Sequence, residues 1–175
     1  YPPLLLFPLF LLFGRIFARL GGRRLVAPGL LLAATGVTFL HYFAPLRIDH
    51  HNWQLLLSVA MLWLALGPPG FRRGLAAALV ITVHSEISLE GLAYLAIFGG
   101  IFGLEWLRDP RAAPRLAGYA AGLLIFPLLW LGVFRGWPAM TAVSCDSFSL
   151  PYLAGVTSTA AIVSAGLRAP SRRPD

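Results

Sequence analysis

The chain has 175 residues, 58% of them hydrophobic and 12% charged, with a mean hydropathy of +0.75. Soluble domains carry about a quarter charged residues, so this balance excludes an ordinary water-soluble domain and implies an integral membrane protein. The formal net charge of +7 comes from fourteen Arg and no Lys; the arginines fall between apolar runs, where they act as topology signals rather than as a nucleic-acid footprint.

Seven apolar segments are expected to be helical and to cross, or partly re-enter, a bilayer whose hydrocarbon core takes about 20 residues to span. The first covers 3–18 and stops at the GGRR of 21–24. It lacks the basic start and small-residue cleavage site of a signal peptide. The second covers 25–43 and is closed by Pro45; the third covers 53–66 and is stopped by the GPPG of 67–70. The fourth covers 71–86 and the fifth 89–107, with HSEISLE at 84–90 as the tip between them. The sixth covers 115–134 and the seventh 152–167. The third, fourth and seventh are short, and span by tilt, partial re-entry or local thinning of the bilayer. The expected architecture is therefore all-α and polytopic: one helical membrane domain over 1–168 and a polar tail over 169–175. The single Cys145 excludes an internal disulfide.

Orientation follows from the arginines. Alternate turns and the tail hold Arg19, Arg23, Arg24, Arg72, Arg73, Arg108, Arg111, Arg115, Arg168, Arg172 and Arg173, whereas the opposite side holds only Arg47 and Arg135. The positive-inside rule makes the first side, including the C-terminus, cytoplasmic. The outer side of a bacterial or archaeal plasma membrane then receives RIDHHNWQ, HSEISLE and the 134–152 segment. Trp53, Trp137 and Tyr152 fit an outer aromatic belt.

Asp49, His50 and His51 stand side by side at the start of the third helix. An Asp there caps backbone N–H groups and offsets the positive helix end. That leaves two successive histidines unexplained. Carboxylate oxygen and imidazole nitrogen suit a divalent metal, and in extended backbone Asp49 and His51 point the same way, making a D-x-H half-site. Glu86 and Glu90 share a face if one helix runs through both; with His50 they form an additional candidate polar cluster, or are simply solvated at a wet tip. His84 reads as a polar lining residue. Arg47 pairs with Asp49 or binds a phosphate, and Arg135 is expected to snorkel. Cys145 and Asp146 lie in an outer loop and carry no catalytic expectation. No phosphate-binding loop, dinucleotide fingerprint, HExxH or GxSxG motif is present.

The stretch from YPPLLLFPLFLLFGR through RIDHHNWQ, extending over about the first 90–100 residues, resembles the membrane part of the catalytic subunit of oligosaccharyltransferases, above all the archaeal form. These are GT-C glycosyltransferases with an outer-loop DHH before a membrane helix. The resemblance implies a divalent metal, Mn or Mg, held by Asp49 and His51, with His50 as the non-ligating middle residue. It also implies a polyprenyl-linked sugar donor, Arg47 near the carrier phosphate, and transfer to an acceptor that the resemblance does not name. Two features depart from the pattern. Residues 1–48 contain no Asp or Glu to match the family's earlier outer-loop acid, and the later acidic loop and the soluble Trp-Trp-Asp region have no counterpart. The chain is thus expected to be a fragment, in keeping with its start at Tyr1, or a diverged relative, and to be inactive as a transferase by itself. Two other classes stay open: a small transporter or proton- or metal-translocating subunit using Asp49, His51, Glu86 and Glu90, and a non-catalytic structural subunit of the membrane.

Overall fold

A computed structural model describes residues 2–44 and 50–168. Among the described residues the secondary structure is helical throughout, with no strand. Two compact units divide the chain, Tyr1–Gly67 and Pro68–Asp175, and the GPPG turn lies at their boundary.

The first unit contains α1 (Pro2–Gly21), α2 (Val26–Ala34), α3 (Val37–Tyr42) and α4 (His51–Ala65). Gly22, at φ 71°, takes the left-handed conformation that ends α1, and a 3₁₀ turn over Arg23–Leu25 leads into α2. The expected second helix over 25–43 is broken in two. Gly36 is extended at ψ 129°, and the Thr35 hydroxyl donates back to the Leu31 and Leu32 carbonyls. Glycine is a poor helix former and a threonine bonding backwards competes with the helical ladder, so the helix yields there. The core of this unit is built from Leu9 and Ile16 of α1, Phe43, and Leu56 and Val59 of α4. Phe39 is its aromatic hub, with ring centroids 5.8 Å from Phe10, 5.7 Å from Phe13 and 5.9 Å from Phe43.

The second unit contains α5 (Phe71–Ile87), α6 (Gly91–Arg108), α7 (Ala113–Trp130), α8 (Gly136–Thr141) and α9 (Leu150–Arg168). A 3₁₀ turn over Pro110–Ala112 joins α6 to α7, and a π turn over Leu131–Arg135 prolongs α7. Here α5 and α7 meet backbone to backbone. A Cβ added at Gly74 would lie 2.0 Å from the Arg115 carbonyl oxygen; one at Gly118, 2.1 Å from that of Phe71; and one at Gly122, 2.4 Å from the Ala78 Cβ. Small residues at such spacing let membrane helices approach closely and gain van der Waals contact where no hydrophobic effect drives them together. Tyr119 ties α7 to α6 through its hydroxyl, which donates to the Leu95 carbonyl at 3.0 Å.

Four stretches among the described residues are long and apolar enough to cross a membrane: Pro3–Gly21, Gly91–Arg108, Pro110–Pro138 and Leu150–Arg168. This is fewer than the seven spans expected from hydropathy. The shortfall comes from the split of 25–43 and from α4 and α5, which have 15 and 17 residues; at 1.5 Å per residue these fall short of a roughly 30 Å hydrocarbon core. The long helices expose large apolar side chains, such as Leu4 and Phe7 of α1, Leu107 of α6 and Ile162 of α9, as a lipid-facing surface requires. The chain is compatible with an integral membrane protein.

Candidate functional site

Asp49 and Arg47 lie outside the described residues. His50 has helical backbone, φ −81° and ψ −15°, and His51 is the first residue of α4. The extended backbone needed to align a D-x-H pair is therefore not adopted at the middle residue. The His51 ring stacks on Tyr42 at 5.1 Å and 8° and on His50 at 4.4 Å and 27°. Stacking covers ring faces, whereas coordination uses in-plane nitrogen lone pairs, so the two are compatible. Among the described residues, however, no group of three or more His, Cys, Asp or Glu is assembled for a metal. The described residues alone do not make a metal centre.

Glu86 and Glu90 are not on one helix face. The helix α5 stops at Ile87, Ser88 is extended at φ −155° and ψ 138°, and Glu90 is exposed at the start of α6. The Ser88 hydroxyl accepts from the Glu90 backbone N–H; a serine bonding its local backbone in this way favours a turn over helix continuation. Glu86 and Glu90 belong to the second unit, whereas His50 and His51 belong to the first. His84 is fully buried, with its ring 5.0 Å from Tyr94.

The second unit does assemble a polar site, at the end of α5. Pro127 sits inside α7 and has no N–H to give the helical ladder, and the helix widens into the π turn four residues later. That turn delivers Arg135 to the side of Glu86. The Arg135 Nη1 donates to the Phe148 carbonyl at 3.0 Å and stands 3.8 Å from Glu86 Oε2. The second distance is an ion pair without a hydrogen bond. Arg135 thus has a buried carboxylate as neighbour and does not simply snorkel. The Glu86 side chain is only 4% exposed. Its Oε1 and the Oγ of Ser85 are buried with no hydrogen-bond partner among the described residues. Leaving one such group unsatisfied costs about 1–3 kcal/mol; the Ser85 hydroxyl can donate as well as accept.

These groups line a cavity of about 360 Å³, together with Trp130, Asp146 and Ser147. Asp146 is exposed on the loop before α9. The Ser144 hydroxyl, then its own backbone N–H and the Arg135 charge, hold its carboxyl below the usual carboxylate range, so it is ionised at neutral pH. Cys145 is exposed, and its carbonyl accepts from the Tyr152 hydroxyl at 3.1 Å.

At the opposite end of these helices, Arg115 is buried, ion-paired with Glu105 and placed over the Phe102 ring at 5.2 Å. This clamp ties α6 to α7 beside Gly74 and has the character of a structural pair. Sequence reasoning missed both Ser85 and the Glu86–Arg135 pairing. The signal for Ser85 was its position in the polar run HSE at the end of an apolar helix; the pairing joins residues remote in sequence and had none. Comparison of the chain with protein-family models, with curated proteins and with solved structures found no match.

Proposed function

We propose that the chain is the membrane-embedded part of a GT-C-type glycosyltransferase, acting at the outer membrane face on a polyprenyl-linked sugar donor. The observation that supports this reading is the DHH motif at the start of the short apolar helix α4, with His51 as its first residue. On this reading the helices outside the four long stretches are tilted or partly re-entrant, and the arginine-rich ends face the cytoplasm. In the reaction, the bond between the sugar's anomeric carbon and the carrier phosphate breaks and a bond to an acceptor nucleophile forms. The phosphate leaves as an anion and the acceptor gives up its proton. Arg47 is assigned to the carrier phosphate, a guanidinium being suited to bidentate phosphate binding. Asp49 and His51 are assigned to a divalent metal, Mn or Mg, which when bound would neutralise the leaving phosphate.

A translocating subunit is less well supported, because a path needs polar groups continuing through the helices. Thr82 bonds within its own helix, to the Ala78 carbonyl, and Tyr119 is committed to Leu95.

The test is a Mn titration followed by electron paramagnetic resonance, on the wild-type chain and on Asp49→Ala/His51→Ala in lipid nanodiscs. A saturable site lost in the double variant is the expected outcome. Binding that survives in the variant, or no site in the wild type, would sink the metal assignment and with it the transferase reading of this segment.

A further inference from the structure

Helices α6 and α9 both pack on α7 and leave between them a slot of about 360 Å³, which belongs wholly to the second unit. Leu116, Tyr119 and Leu123 of α7 lie along its floor, and Gly100 and Gly155 stand in its walls. The side chains that line it are apolar apart from two hydroxyls, and both are committed. Tyr119 donates to the Leu95 carbonyl at 3.0 Å and Thr159 to the Gly155 carbonyl at 2.8 Å. The slot therefore asks no hydrogen bond of its occupant, and hydrocarbon suits it where a polar molecule would lose its water contacts. A Cβ added at Gly100 or Gly155 would meet no atom within 4 Å, so the slot is open where these glycines stand. The same helices expose Ile97, Ile101 and Ile162, as a surface that meets lipid tails requires.

The second observation is charge. The end of the unit where α6 and α9 finish carries Arg108, Arg111 and Arg168, all exposed. The acids described at that end are already engaged: Glu105 pairs with the buried Arg115, and Asp109 accepts the Arg111 backbone N–H. Along α9, Arg168 lies five residues beyond Val163 of the slot, about 7.5 Å at a helical rise. Along α6, Arg108 lies eight residues beyond Gly100, about 12 Å. Both fall within about 15 Å, half of a roughly 30 Å hydrocarbon core. A phospholipid with its phosphate at these arginines thus has its tail at the depth of the slot. Basic sites beside membrane helices attract anionic headgroups. A second copy of the chain, inserted in the same orientation, would instead bring like-charged ends together.

We propose that this slot seats one acyl chain of a phospholipid whose anionic headgroup is held by Arg108, Arg111 and Arg168. The tail fills the space that the three helices leave open, and the guanidinium groups bind the phosphate. The lipid belongs to the leaflet on the arginine-rich side, whereas the transferase reading puts its polyprenyl-linked donor on the arginine-poor side. The inference depends on membrane embedding and not on that reading.

The experiment places the full chain in nanodiscs of equal parts phosphatidylcholine and phosphatidylglycerol and reads the lipid it retains by native mass spectrometry. One phosphatidylglycerol per chain is the expected result. Gly155→Leu and Gly100→Leu fill the slot without a clash at Cβ and should abolish retention. Gly166→Leu, equally open but outside the slot, should leave it unchanged; all three are checked for a wild-type unfolding temperature. Arg168→Gln should lower the preference for phosphatidylglycerol over phosphatidylcholine about fivefold, and Arg111→Gln likewise. No retained phospholipid, retention that survives both slot-filling variants, or equal retention of the two lipids by the wild type overturns the inference. So does displacement of phosphatidylglycerol by inorganic phosphate, which would place the headgroup at the arginines without a tail in the slot. Displacement by an added polyprenyl phosphate would hand the slot to the donor's carrier instead. A dimer formed by the wild type and lost in Gly155→Leu would put a second copy of the chain there, and each of these results equally removes the phospholipid.

Discussion

The two units solve the same packing problem by opposite means. The first fills space with rings: Phe10, Phe13 and Phe43 gather around Phe39, and Phe13 stacks on Phe17 at 5.8 Å. The second removes side chains: Gly74, Gly118 and Gly122 bring the α5 and α7 backbones together. An aromatic interface rests on many small dispersion contacts and can readjust when one ring changes. At Gly74 and Gly118 backbone faces backbone and nothing there can give way. The difference has a structural counterpart. Beyond the seam, α5 ends just after Glu86 and α7 runs into the π turn that carries Arg135, so the second unit holds a buried carboxylate and a guanidinium 3.8 Å apart.

The largest effect expected from breaking this comparison is at Gly118. Gly118→Leu puts side-chain atoms where the Phe71 carbonyl oxygen already stands 2.1 Å from a Cβ position. The helices must separate, at a cost of about 3 kcal/mol or more. Thermal unfolding in nanodiscs should show it, with hydrogen exchange rising in α5–α9 and not in α1–α4. A variant as stable as the wild type would mean the seam is looser than the geometry requires.

Phe39→Ala should come next. It removes three ring contacts, each worth about 0.5–1.5 kcal/mol, but neighbouring phenylalanines and lipid tails can fill part of the space. An intermediate loss, with exchange rising in α1–α4 alone, is the expected result. Loss spread equally over both units would show that they do not unfold independently.

The smallest effect, and of opposite sign, belongs to Gly103→Ala. A Cβ there meets no atom within 4 Å, so only backbone entropy changes, and the helix should gain about 0.5–1 kcal/mol. A measurable destabilisation would reveal a close neighbour at this face of α6 and blur the distinction between seam glycines and free ones.

How much of this was legible varied with the range of the interactions. The helical class, the stop at GPPG and the four long apolar stretches follow from local composition, because a membrane-crossing helix must satisfy its backbone within itself. The break at Gly36 was present in the Thr-Gly pair but was overridden by the surrounding apolar run. The expectation that Glu86 and Glu90 share a helix face failed because Ser88 turns the chain between them. The glycine seam left a readable trace, GYAAG at 118–122, a small-xxx-small pattern on one helix. It states that α7 can be approached closely, but not by which helix.

The sequence by itself determined the helical class, the compatibility with a membrane and the presence of a polar run at 84–90, since each depends on residues within a few turns of one another. Only the tertiary structure decided that Glu86 faces Arg135, that Ser85 and Glu86 carry buried oxygens without a partner among the described residues, and that α5 seats on α7. These facts depend on which distant segments touch. In helices whose outer faces are almost uniformly apolar, periodicity does not distinguish the side that meets lipid from the side that meets protein.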